Sequence, residues 1–254
     1  MLDPIFPKRL LEAGYERTVD FINSLFEDYS KRDLTYPTDR AIAISGLQTR
    51  IAQTLDCQES YGTLEGFLGR NLLWQRCGEK MKRIRYDDPK VPSWSWTAYL
   101  GGIKKKMKRI RYGDPKAPSW SWTAYLGGIK FINVSFEDDI CWHKDLRFDG
   151  KQKDTLIGSL GKFWNCTMEQ KEPQYAILDL QGIERGWLQF DVEDSTDIDL
   201  HRCVIIGRTG RESGIKYYVL VVRSTGSKRE YERVGVGLIW ASHISKLEDN
   251  VRIV

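Results

Sequence analysis

Four side chains in this sequence have types and spacings that suit metal binding. Cys141 and His143 form a C-x-H pair, and His201 and Cys203 form an H-x-C pair. Residues two positions apart on a β-strand point to the same face, so each pair would present a thiolate and an imidazole together. Structural zinc sites, however, typically place about two to four residues between neighbouring ligands. Cysteines are also common core residues, so we expect no metal site.

The segment GSLGKFW at 158–164 has part of the pattern of a phosphate-binding loop. That motif requires about four residues between its glycines and Ser or Thr after its lysine, whereas Phe163 follows Lys162 here. The acidic groups at 137–139 and 193–194 fit solvated turns, and no histidine or nucleophile is paired with them. Motifs of serine hydrolases and zinc proteases do not occur in the sequence. The sequence therefore predicts a protein that is not an enzyme, with no catalytic residue and no cofactor.

The most basic stretch is KKKMKRIR at 104–111. Its cations would suit a phosphate backbone, and Tyr112 and Trp120 would offer rings on which bases can stack. The formal net charge is only +4, and the rest of the chain has no basic stripe. We interpret the stretch as a junction between two sequence copies and keep nucleic-acid binding through 104–112 as the alternative function. The cationic candidates are Lys104, Lys105, Lys106, Lys108, Arg109 and Arg111.

Composition indicates a folded protein of the cytoplasm. Of 254 residues, 41% are hydrophobic and 12% are aromatic, which is ample for a packed core. The five cysteines are widely spaced and form no CxxC pair, as is typical of reduced thiols. The sequence begins without a signal peptide, and its longest apolar run, Tyr217 to Val222, is too short to span a bilayer. We expect no membrane partner.

Hydrophobic periodicity predicts a helical subdomain over 1–76. Between Leu10 and Tyr29, apolar residues recur every three or four positions, which places them on one helical face. A second helix is expected to be capped by Thr38, and a third is expected to begin near Thr63.

The pattern over 77–254 predicts a mainly antiparallel β-rich domain, so the expected fold class is α+β. Runs of β-branched and aromatic residues are separated by turn residues. Tyr217 to Val222 is apolar on both faces, which is typical of a central strand. Leu156 to Trp164 fits either a helix or a strand.

Two details of the β-rich half are also predicted. Around Leu188, apolar residues alternate with Gln189 and Asp191, which we assign to a solvated face. Gly235 and Gly237 leave one strand face bare, so that another backbone can approach it.

A segment of 24 residues occurs twice, at 81–104 and 107–130. The copies differ only where Asp87 becomes Gly113 and where Val91 becomes Ala117. Two copies are too few for a solenoid, which generally needs three or more. We therefore expect one structural position with a spare copy.

Each copy contains PSWSW followed by Gly-Gly. On a strand the two indoles would share one face, and Gly-Gly would supply the turn of a hairpin. After the second copy the chain continues with apolar residues that suit a returning strand, whereas the first copy runs into lysines. We favour buried indoles over an exposed interaction surface. The candidate residues are Trp94, Trp96, Trp120 and Trp122.

Three successive stretches resemble a known family. They are YSKRDLTYPTDRAIAISGL at 29–47, LLWQRC at 72–77 and VPSWSW at 91–96. Together they resemble the region that follows the heterokaryon incompatibility (HET) domain in fungal HET-domain proteins. YYVLVVRSTGSKREYERVGVGLIW at 217–240 is similar to the β segment near the end of those proteins. We recognise no HET domain itself in the sequence.

The resemblance implies a fungal protein associated with heterokaryon incompatibility and nonself recognition. It implies a structural or regulatory interaction module and a protein partner in incompatibility signalling. No catalytic residue of the family maps onto this chain, and no small-molecule ligand is implied.

Overall fold

A computed structural model describes residues 6–78, 80–84, 99–100, 108–109, 117–136, 140–152, 154–192, 197–210 and 214–254. The helices are α1 (Arg9–Ala13), α2 (Tyr15–Ser30), α3 (Arg40–Thr54) and α4 (Leu68–Leu72). The first nine strands are β1 (Glu59–Ser60), β2 (Thr63–Leu64), β3 (Trp74–Arg76), β4 (Lys82–Arg83), β5 (Tyr99–Leu100), β6 (Lys108–Arg109), β7 (Tyr125–Leu126), β8 (Ile129–Phe131) and β9 (Cys141–Trp142). The remaining strands are β10 (Arg147–Phe148), β11 (Leu156–Phe163), β12 (Cys166–Lys171), β13 (Gln174–Asp179), β14 (Glu184–Phe190), β15 (Arg202–Thr209), β16 (Lys216–Ser224), β17 (Glu230–Trp240) and β18 (Ile244–Ile253).

The predicted helical face is confirmed in α2, where Val19, Ile22 and Phe26 are buried. The periodic segment is nevertheless divided at Gly14, whose φ of 81° falls outside the helical range. The third helix is present near its predicted start: Thr63 itself lies in β2, and a 3-10 turn at Glu65–Phe67 leads directly into α4.

Ten strands form one large, mainly antiparallel sheet. The path runs β10-β11-β15-β16-β17-β14-β13-β12, with β9 beside β15 and with β18 beside both β11 and β17. The pairings of β11, β15, β16, β17 and β18 therefore close into a ring, from which β14, β13 and β12 extend. The fold class is α+β, as predicted, and β16 is the expected central strand.

The two glycines of β17 occupy the close approach that was predicted. A Cβ on Gly235 would lie 2.5 Å from the carbonyl oxygen of Gln189, and one on Gly237 would lie 2.4 Å from that of Trp187. The assignment of Gln189 and Asp191 to a solvated face is wrong, because both side chains are buried. Burial is possible because Asp191 pairs with the guanidinium of Arg233.

Parts of the two copies combine into one composite unit, in addition to the separate β5-β6 pair within the duplicated region. The start of the first copy, β4, pairs with β7 from the second copy. Upstream, β3 pairs with β8 at the end of the second copy. The expected hairpin across Gly127 and Gly128 is therefore wrong, because β7 and β8 each pair with chain that precedes the duplication or begins it.

Candidate functional site

The two tryptophans of the second copy are buried in different hydrophobic clusters. Trp122 packs among helices α2 and α3, with its ring centroid 5.5 Å from that of Phe26 and its Nε1 donating to the Gly62 carbonyl at 3.1 Å. Trp120 packs against the sheet near Phe148, and its Nε1 donates to the Asp154 carbonyl at 3.1 Å. The prediction that they share one strand face is wrong, because Trp122 begins a 3-10 turn instead of continuing a strand.

The serines that precede each of these indoles are equally buried and hydrogen bonded. Ser119 Oγ accepts from the Arg233 amide at 2.8 Å, and Ser121 Oγ donates to the Tyr61 carbonyl at 2.5 Å. The PSWSW segment thus joins the helical cluster to the sheet cluster. Neither Trp120 nor Trp122 is available to a partner, since both have no exposed surface.

The other predicted interaction residues fall mainly outside the described part of the chain. Outside it lie Trp94, Trp96, Lys104, Lys105, Lys106 and Arg111. The backbone of Lys108 and Arg109 forms β6, which pairs with β5. The basic stretch therefore remains a prediction.

The two Cys/His pairs considered as metal ligands do not converge. Cys141 pairs with Arg208 near the end of β15, whereas Cys203 lies near its start, about 16 Å away along the strand. Burial raises the pKa of the Cys203 thiol to about 12. The sulfur is therefore a neutral core atom at physiological pH.

An open cleft of about 530 Å³, the Trp240 cleft, lies where several strands of the large sheet end. Its lining residues are Asn165, Asp179, Leu180, Gln181, Arg185, Ile215, Trp240, Ala241, Ser242 and His243. A cleft of this size is within the range of pockets that bind ligands.

Neighbouring strands place a row of complementary side chains at this cleft; Arg185 and Trp240 line it, and Lys216 flanks Trp240 outside the lining residues. Trp240 ends β17, between Arg185 of β14 and Lys216 of β16. The Arg185 guanidinium carbon lies 5.4 Å from the indole centroid, and Lys216 Nζ lies 5.5 Å from it. Both distances are within cation–π range. On the far side of Arg185, the Asp179 carboxylate accepts from its Nε at 2.8 Å.

Asp179 also organises the turn that forms one wall of the cleft. Its Oδ1 accepts from the amides of Gln181 and Ile183, each at 2.9 Å. Burial alone would raise the pKa of Asp179, but the hydrogen bonds from Ile183, Arg185 and Gln181 outweigh it and lower that pKa. Asp179 is therefore an anion that fixes both the turn and the direction of Arg185.

Large apolar side chains are exposed at this end of the molecule. Leu180 is 71% exposed, Trp164 is 52% exposed and Ile183 is 51% exposed. Leu180 lines the cleft, and Trp164 precedes the lining residue Asn165, with its backbone carbonyl 3.2 Å from His243 Nδ1. Exposed apolar residues grouped around a polar cleft are typical of interaction surfaces.

The cleft also contains serine, histidine and aspartate, the residue types of a hydrolytic triad. Their hydrogen bonds are directed elsewhere: His243 Nδ1 contacts the Trp164 carbonyl oxygen at 3.2 Å, and Asp179 is held by Arg185. Within the described residues, no hydrogen bond connects Ser242, His243 and Asp179. The arrangement suits binding better than acyl transfer.

This cleft was missed in the sequence because its parts are far apart in the chain. Arg185, Lys216 and Trp240 come together only through the pairing of β14, β17 and β16. The one available signal was Trp240 at the end of an alternating strand, next to the polar Ser242 and His243.

Comparison with known proteins found no matching family model, no curated relative and no similar solved structure. In the part of the chain that the structure describes, no helix combines the length and apolar character needed to cross a bilayer.

Proposed function

We propose that the chain is a non-enzymatic interaction module that holds a protein partner at the Trp240 cleft. The observation that carries this proposal is the exposure of Leu180, Trp164 and Ile183 beside the cation-flanked indole of Trp240. Aromatic and apolar anchors beside arginine are the groups that contribute most to protein interfaces.

The biological setting of the proposal comes from the resemblance to the region that follows the HET domain. In that setting the module would hold or regulate a partner in fungal heterokaryon incompatibility. The buried PSWSW segment would then have a structural role, and the Trp240 cleft would carry recognition.

Site-specific photocrosslinking in a fungal extract tests the proposal. A photoreactive amino acid replaces Leu180 in one variant and Lys228, which lies in the turn between β16 and β17, in a control variant. We expect a discrete HET-containing or other specific partner to crosslink at position 180 only, and excess unlabelled protein to suppress it. The same set of proteins at both positions would contradict the proposal.

A further inference from the structure

We infer that the Trp240 cleft recognises a peptide segment of its partner in which a carboxylate stands next to a large apolar side chain. The inference rests on the proposed function, because it assigns the chemistry of the segment that the cleft would hold.

The charges in the row favour an incoming carboxylate. Asp179 supplies one negative charge and occupies the Nε of Arg185. Lys216 has no carboxylate partner among the described residues, although it lies 5.5 Å from the Trp240 ring. The row therefore has two cations for one anion, and an anion beside Lys216 would restore charge balance. Charge-assisted hydrogen bonds to a carboxylate are stronger than those between neutral groups.

Strand pairing places the backbone of Lys216 and Arg185 on either side of Trp240 before any ligand binds. Both flank Trp240 through strand pairing, since Lys216 is the register partner of Trp240 and the neighbouring Gly186 pairs with Ile239. The turn holds Asp179 through two amides that donate to its Oδ1, and Asp179 in turn holds the Nε of Arg185 through Oδ2. Preorganised cations lose little conformational freedom on binding, which favours affinity.

The rim selects a peptide over a simple anion. Leu180 and Ile183 are exposed in the turn between β13 and β14, and the exposed Trp164 directly precedes Asn165, which lines the cleft. Burial of these side chains against apolar surface of a ligand would contribute favourable binding free energy. Trp164 offers a ring to a base, but the aliphatic Leu180 and Ile183 do not, so the rim as a whole suits an apolar peptide side chain better than a nucleic acid.

Two capped eight-residue peptides provide the probe. One alternates glutamate with leucine, and the other has glutamine at each glutamate position. Binding is followed by the amide NMR signals of the isotope-labelled full chain, with residues 216 and 240 as reporters. We expect the acidic peptide to bind about tenfold more tightly than the glutamine peptide.

Charge reversal at one position sharpens the test. Lys216→Glu should weaken binding of the acidic peptide by about tenfold or more and should improve binding of a third peptide with lysine at those positions. Lys228→Glu makes the same charge change about 30 Å away along the β16 strand and should alter neither affinity. Equal binding of the acidic and glutamine peptides, no effect of Lys216→Glu, or tighter binding of a ten-nucleotide oligothymidine would overturn the inference.

The peptide and crosslinking experiments fail in different ways. Specific crosslinks at position 180 without preference for the acidic peptide would overturn the ligand chemistry and leave the proposed function standing. Preferential binding of the acidic peptide together with indiscriminate crosslinks would support the ligand chemistry and contradict the proposal that the cleft holds a specific partner.

Discussion

At the scale of single residues, Arg233 connects parts of the chain that are far apart in the sequence. Its guanidinium bonds the Asp191 carboxylate at 2.9 and 3.2 Å and donates to the carbonyls of Leu72 and Trp74 at 2.8 and 2.6 Å. It also stacks 3.3 Å from the centroid of the Trp74 ring. The side chain is fully buried, so each of these bonds forms away from water.

Arg233→Met should therefore lower the free energy of unfolding by about 3–5 kcal/mol, because it removes the guanidinium that is hydrogen bonded to the buried Asp191 carboxylate. Arg223→Met is the matched control, since Arg223 pairs with Glu232 while its side chain is 52% exposed. The control should lose less than about 1 kcal/mol. Urea denaturation measures both, and equal losses would show that burial of the Arg233 pair is not what stabilises this region.

A second residue-scale prediction concerns the acid sensitivity of the Asp179 turn. The folded-state pKa of Asp179 is lowered, so its stabilising effect is complete above the unfolded-state pKa of about 3.9 and is lost as pH falls through the folded-state value. Asp179→Asn should be less stable than the wild type at pH 7, and the difference should shrink below about pH 4. Urea denaturation at several pH values measures it. A difference that does not change with pH would mean that the charge of Asp179 contributes nothing.

At the scale of elements, only the second copy of the duplicated segment supplies β7 and most of β8. Chain from Leu73 to Ile84 runs antiparallel to chain from Ala124 to Ile132, and the first copy supplies only the start of this pairing. The second copy is followed by Phe131 and Val134, which are both buried. At the equivalent positions after the first copy stand Lys105 and Lys108. Burying lysines there would be unfavourable, so the downstream sequence selects the second copy.

Two deletions of equal length test whether the first copy can take the place of the second once it too is followed by Phe131. Removing 85–110 leaves the second copy, and removing 105–130 leaves the first copy joined directly to Phe131. The two products differ at two positions only: the chain lacking 85–110 has Gly113 and Ala117 where the chain lacking 105–130 has Asp87 and Val91.

We expect the chain lacking 85–110 to fold as the parent does and to be more stable by up to about 1.5 kcal/mol, because a connection of 32 residues becomes one of six. The chain lacking 105–130 should be less stable than the other deletion by about 1–3 kcal/mol, since valine replaces the buried Ala117. Thermal and urea unfolding compare the two. Failure of both chains to fold would show that the whole duplicated region is required.

The local patterns in the sequence predicted individual helices and strands better than they predicted which distant strands and side chains those elements contact. The buried face of α2 and the glycine-lined approach in β17 follow from periodicity and from the absence of a Cβ, and both are properties of a short segment. Asp191 was misassigned because its counter-ion, Arg233, lies on another strand. The Trp240 cleft was missed for the same reason, since Arg185 and Lys216 reach it only through strand pairing.

At the scale of the whole molecule, the helical and β-rich parts share their cores. The cluster that contains α2 and α3 also contains Trp122, Tyr125 and Phe131. The cluster on the sheet draws Leu68 and Leu72 from α4. The division of the chain at residue 76 stays a prediction, and these contacts give a direct way to test it.

A fragment of residues 1–76 should not fold alone, because it lacks the aromatic side chains that fill its core. Isolated helices of the length of α2 are marginal in water without such packing. Circular dichroism should show no cooperative thermal transition for the fragment, whereas the full chain should show one transition by both circular dichroism and tryptophan fluorescence. A cooperative transition in the fragment would establish an independent domain.

The closed ring of strands could not be anticipated, since its last pairing brings β18 beside β11 across about ninety residues of chain. Sequence patterns report which face of a strand is buried, and they do not report which distant strand lies beside it.

The composite unit has an evolutionary consequence. Inserting a third 26-residue repeat between Ile84 and Ala117 would lengthen the connection without changing either strand pair, at an entropic cost of only about 0.5 kcal/mol. Adding a repeat should therefore change stability much less than removing one, and alleles that carry two or three repeats should encode the same fold outside the repeats.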